Sequence, residues 1–134
     1  MNNNSGIPTN EKSIGETARI ELPIAELLMR GRELIRYLRR YGEFNWAEWL
    51  EDGLEETRIN SRTGVATLLE GFEGMGGMGD LYLCPEAGHC LSVTEESRVN
   101  EDLLLMSSRV FQAARDLGDF VDIDHFRRDI RGAK

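Results

Sequence analysis

The sequence predicts a mainly helical fold, a single compact domain of about five helices carrying a small β-hairpin insert. Three observations carry that expectation. Apolar residues recur at i, i+3 and i+4 through most of the chain after residue 23. The periodic stretches are bounded by capping residues and glycines, the ordinary helix start and stop signals. Only residues 81–93 break the rule, with two short apolar runs about a Pro/Gly turn. At 134 residues the chain suits one domain. A chain of that size buries roughly two-thirds of its unfolded surface, so it needs no disulfide or structural metal to fold.

In chain order, residues 1–20 are polar and read as a flexible tail, leaving 21–134 as the domain. No charged start precedes an apolar run there, so no secretory signal is expected. The first helix is expected from Pro23, with Ile24, Leu27, Leu28, Leu34, Ile35 and Leu38 on one side, ending near Gly42. Gly31 lies on that apolar side, where a glycine costs about 1 kcal/mol against alanine, so a closely packed neighbour is expected. Arg39 and Arg40 suit the negative end of the helix.

The second helix is expected to start at Asn45 as N-cap, with Glu48 completing a capping box. Trp46, Trp49, Leu50 and Leu54 form its apolar side. The short connection makes it an antiparallel neighbour of the first. Ser61 or Thr63 can cap a third helix holding Val65, Leu68, Leu69 and Phe72, which stops at a glycine-rich stretch from Gly74 to Gly79. Residues 81–84 and 90–93 then read as the hairpin. A lone hairpin is marginal in water and must lie on the helices. A fourth helix, capped by Thr94 or Asn100, runs through Val99, Leu103, Met106, Val110, Ala113 and Leu117 to Gly118. A final amphipathic segment carries Ile123, Phe126 and Ile130.

The charge balance narrows the function. There are 24 acidic against 16 basic residues and a net charge of -8, which argues against nucleic acid as a partner, because phosphate binding rests on clustered Lys and Arg. No apolar run approaches the ~20 residues that span a bilayer, so no membrane role is expected and the protein reads as cytoplasmic. Cys84 and Cys90 are then expected as free thiols.

Three motifs bear on chemistry. Residues 74–79 match G-x-G-x-x-G, but a dinucleotide site needs a strand before and a helix after, and here the order is reversed. The loop reads instead as one requiring glycine backbone, with Met75 and Met78 as adaptable apolar contacts. Cys84, His89 and Cys90, with His125 downstream, are soft donors, yet their spacing is not that of a zinc knuckle. The plainer reading is a turn with half-buried thiols and a solvent-facing histidine. No cofactor, resident metal or catalytic residue is expected.

The acidic run of the second helix is the third motif. Glu48, Glu51, Asp52, Glu55 and Glu56 repeat like charges at i,i+4, which costs an isolated helix a few tenths of a kcal/mol per pair. The only two lysines of the chain, Lys12 and Lys134, are too distant in sequence to relieve them. Unrelieved charge of one sign steers a partner of the other.

The blocks Tyr41-Gly42, then residues 45–50 (Asn-Trp-Ala-Glu-Trp-Leu), Gly76-Gly77-Met78-Gly79 followed by Asp80-Leu81, and the Asn100-containing helix start resemble a family of small uncharacterised bacterial proteins. That resemblance spans about residues 24–118 and implies no catalytic residue. In size and charge the chain is also similar to immunity proteins of bacterial toxin systems. The expected function is therefore a non-enzymatic cytosolic immunity protein. It would neutralise a cognate toxin, such as a nuclease, by stoichiometric binding to a basic surface. Glu48, Glu51, Asp52, Glu55 and Glu56 would make the charged contact, and Met75, Met78 and Asp80 of the loop would add a shape-specific one. The alternative is a small metal-dependent enzyme or zinc module centred on Cys84, His89 and Cys90. Oligomeric state is left open.

Overall fold

Apolar side chains at helical spacing have to be covered, and four helices cover one another here. The computed structural model describes residues 7–73 and 75–132, with side chains described over 21–73 and 75–122. Helix α1 spans Ile7–Arg40, α2 Phe44–Ile59, α3 Ser61–Phe72 and α4 Glu96–Gly132. Each packs on two others, in the pairs α1–α2, α2–α3, α3–α4 and α4–α1, so the bundle closes as a ring with α2 diagonal to α4. Neighbours run antiparallel, the up-down arrangement that short connections favour. The core is Leu27, Leu34, Leu38, Leu50, Leu68, Leu83, Val99, Val110 and Leu117, all fully buried, with the other periodic apolar residues around them.

Glycines set two of the seams. A Cβ on Gly31 would overlap the Leu54 side chain of α2, so α1 and α2 approach where the sequence places a glycine on an apolar side. At Gly64 a Cβ would strike the Thr57 backbone, which brings α3 against α2. Thr57 is fully buried there, and its hydroxyl donates to the Gly53 carbonyl at 2.7 Å. The Tyr37 hydroxyl ties α1 to α4 by donating to the Val99 carbonyl at 2.9 Å. Burial is the main reason that this phenol is pushed up to about 12.

The helical class holds; several finer expectations do not. There is no strand among the described residues, and residues 81–84 and 90–93 do not pair as a hairpin. Their backbone groups find other partners: Leu83 bonds the Asn100 side chain and the Cys90 amide bonds the Tyr41 carbonyl. Short 3-10 turns at Pro85–Ala87 and Val93–Glu95 bend the chain instead. Four α-helices replace the expected five, because Gly118 does not end α4. It lies inside the helix, where a Cβ would sit 3.1 Å from Val65 of α3. The side chains of Ile123, Phe126 and Ile130 lie outside the described residues.

The helix starts also shift. Helix α1 runs through Pro23 from Ile7. The side chains of residues 1–20, where a tail was expected, lie outside the described residues. Glu43, not Asn45, caps α2 by accepting from the Trp46 amide, and Asn60, not Ser61 or Thr63, caps α3. At α4 the capping box is formed by Ser92 and Glu95 one turn before the helix.

Candidate functional site

The C-terminal ends of α1 and α3 and the N-terminal ends of α2 and α4 meet at one end of the bundle. Residues 73–95 cross it. A connection longer than about 12–15 residues without regular structure is uncommon in small domains and is frequently functional. Its three 3-10 turns, at Met78–Asp80, Pro85–Ala87 and Val93–Glu95, keep it close to the helices.

Four anchors hold it. Asn100, in the first turns of α4, accepts from the Leu83 amide at 2.7 Å and donates to the Leu83 carbonyl at 2.8 Å. One side-chain amide thus satisfies both backbone groups of a residue whose own side chain is fully buried. Tyr82, beside it, donates its hydroxyl to Glu96 at 2.9 Å. The Cys90 amide donates to the Tyr41 carbonyl at 2.8 Å, against a turn in which Gly42 holds φ +84. That left-handed value, with Cys90 Sγ 3.1 Å from where a Cβ would stand, makes glycine the fitting residue there.

The fourth anchor is His89. Its Nε2 lies 2.8 Å from Glu43 Oε1, and the two side chains are 8% and 13% exposed. On the other side of the ring, the Cys84 amide donates to Nδ1 at 3.0 Å. The neutral Nε2–H tautomer satisfies both contacts, because Nε2–H donates and Nδ1 accepts. Glu43 has a second task, since its other oxygen accepts from the Trp46 amide at 3.2 Å. The pair therefore clips the crossover to the N-terminus of α2.

This geometry corrects the reading of the cysteine-bearing turn. His89 does not face solvent, and both ring nitrogens are occupied by protein groups. Cys84 is half-buried and Cys90 exposed, and both are free thiols. Among the described residues no three His, Cys, Asp or Glu side chains are grouped to hold a metal ion. The side chain of His125 is outside those residues. Sequence reasoning missed Glu43 and read Asn100 only as a possible helix cap, whereas these two are the partners that organise this end. The signal for Asn100 was its helical position beside the crossover; Glu43 carried none beyond its place before Trp46.

The expected contact residues separate into two regions. In the loop, Met75 is fully exposed and Asp80 accepts from the Gly76 amide at 2.9 Å. Met78 is only 1% exposed. It packs into the core beneath the loop, so its side chain is not a surface contact. A left-handed backbone is found at Gly76, φ +78, as the glycine-rich stretch led one to expect.

On α2 the five acids form two stripes. Glu51 is bound by Arg39 of α1 at 2.8 Å, and Glu55 by Arg58 at 2.6 Å. The Arg58 hydrogen bond holds the Glu55 carboxyl below the usual carboxylate range. Glu48, Asp52 and Glu56, at i, i+4 and i+8, form no ion pair within 4.0 Å among the described residues. They lie opposite the buried Leu50, Leu54 and Thr57, so the stripe points away from the bundle. Part of the expected acidic surface is therefore neutralised from within, and the unneutralised part is narrower and straighter.

No described helix is long and apolar enough to cross a membrane. No curated protein and no solved structure matches the chain. A family model described as a domain of unknown function (DUF6966) matches residues 39–92, so from the last turn of α1 through α2, α3 and most of the crossover the chain is similar to that family.

Proposed function

We propose that this protein is a cytosolic, non-enzymatic immunity protein that neutralises a bacterial toxin by stoichiometric binding. The observation that carries the reading is the stripe Glu48, Asp52 and Glu56 on the outer side of α2, three carboxylates aligned over two helical turns with no cation paired to them among the described residues. Such a row repels itself by a few tenths of a kcal/mol at each i,i+4 step. A basic surface, such as the substrate cleft of a nuclease, removes that repulsion and gains association rate from the field. Glu51 and Glu55 contribute less, because each gives up an arginine to engage a partner. Met75 and Asp80 supply the loop contact.

The experiment is capture from the native host at low salt, with wild type and with Glu48→Lys/Asp52→Lys/Glu56→Lys as paired baits. A single basic protein recovered one-to-one by wild type and lost with the triple variant supports the reading. Identical recoveries with both baits overturn it.

A further inference from the structure

Helix α4 outruns the helix beside it. Arg62 and Val65, in the first turns of α3, line one cleft with Gly118 and Asp122 of α4. Residues 123–132 of α4 therefore continue past the start of α3, about 15 Å of helix at 1.5 Å per residue. Along α4, positions 112, 116, 119, 123, 126 and 130 are spaced alternately by four and three residues, so they fall on one line of the helix. That line runs opposite the buried Leu103, Val110 and Leu117, and α1 and α3, which pack on the buried side, leave it outside the bundle. Over the bundle the line is polar, with Gln112, Asp116 and Asp119 all exposed. Past the start of α3 the same line becomes Ile123, Phe126 and Ile130. An outward line that turns apolar at that point does not serve the chain's own core. Apolar residues at this spacing are the seam of a helix pair.

We propose that the end of α4, from Asp122 onward, pairs in parallel with the same segment of a second copy of this chain. The flanking charges select that occupant. With Ile123 and Ile130 at a and Phe126 at d of a heptad, Asp122 and Asp129 stand at g, and Arg127 and Lys134 at e. In a parallel pair each g position meets the e position five residues on in the other helix. Asp122 then meets the partner's Arg127, and Asp129 the partner's Lys134. The two-fold axis repeats both pairs, so the contact is isologous and satisfies itself. An antiparallel pair would set g against g, Asp against Asp, and repel. Asp122 is exposed and forms no ion pair among the described residues. The seam falls well short of the three or four heptads of a free-standing coiled coil, so the dimer is weak and concentration-dependent. It stands apart from the toxin reading, because α2, which carries the acidic stripe, is diagonal to α4.

The test is sedimentation equilibrium of the full chain over a wide concentration range, beside three variants. Wild type should populate a dimer as concentration rises. Phe126→Asp should raise the dissociation constant about thirty-fold or more, as for the loss of a hot-spot aromatic. Asp122→Lys/Asp129→Lys makes both flanks basic, and Arg127→Glu/Lys134→Glu makes both acidic. Each of these two should be monomeric alone, and an equal mixture should restore a one-to-one dimer, which also shows that both have kept their fold. Wild type that stays monomeric at every concentration, reversed variants that dimerise like wild type, or a mixture that stays monomeric overturns the proposal. A wild-type dimer that survives Phe126→Asp uses another surface and overturns it equally. None of these changes touches α2, so the toxin reading stands or falls separately.

Discussion

Replacing His89 with alanine tests the clip that holds the crossover. The ring is nearly buried, and it satisfies Glu43 Oε1 at 2.8 Å and the Cys84 amide at 3.0 Å. Its removal leaves a buried carboxyl oxygen and a backbone N–H without partners, each costing ~1–3 kcal/mol. A loss of about 3 kcal/mol is the central expectation from those two orphans. With an unfolding entropy of about 2.1 cal/mol/K per residue, that corresponds to a fall of about 10 °C in Tm for a chain of this length. Glu43→Ala should cost about 1 kcal/mol more, because the same side chain caps α2 at Trp46. Glu43→Gln keeps one acceptor oxygen, enough for the Trp46 amide or for His89 but not for both, and should fall between wild type and Glu43→Ala. The assay is urea unfolding of the two alanine variants and their double mutant. Coupling of about 2 kcal/mol is expected for two groups in direct contact. Single-variant losses that simply add would refute the view that this pair is what fastens residues 84–90 to the bundle.

Other substitutions probe the seams and the charges. Gly64→Ala drives a methyl into the Thr57 backbone and should cost about 3 kcal/mol by overpacking, read as a fall in the urea midpoint at constant slope. The Tyr37 hydroxyl, raised by burial from 10.0 to about 12, favours the folded state while it stays protonated. Its contribution is complete below pH ~10 and is lost as the pH rises through about 12. Tyr37→Phe should therefore flatten that part of the alkaline unfolding curve and remove the latest step from the ultraviolet phenolate titration. Asp52→Lys turns two repulsive i,i+4 pairs, with Glu48 and Glu56, into attractive ones and should raise stability by about 0.5–1 kcal/mol. The same change should slow association with the captured partner, so stability and binding move in opposite directions.

The sequence alone determined the helical class and most of the core, because a 3.6-residue apolar period has one physical use in water, which is to cover one side of a helix. It also located the Gly31 contact: a glycine on an apolar side has to accommodate something close, and Leu54 is what it accommodates. What it could not decide were matters of partnership. Residues 81–84 and 90–93 are apolar and extended enough to read as strands. Their amides are instead taken by Asn100 and Tyr41, groups far off in sequence or on another element. Gly118 reads as a helix stop, yet packing against Val65 keeps it within α4. The acids of α2 look alike in a line of letters. Only the crossing of α1 over α2 brings Arg39 to Glu51 and leaves Glu48, Asp52 and Glu56 without an ion pair among the described residues. Periodicity is a local property and is written in the chain; which donor meets which acceptor depends on the meeting of distant segments, and that is settled only when the bundle closes.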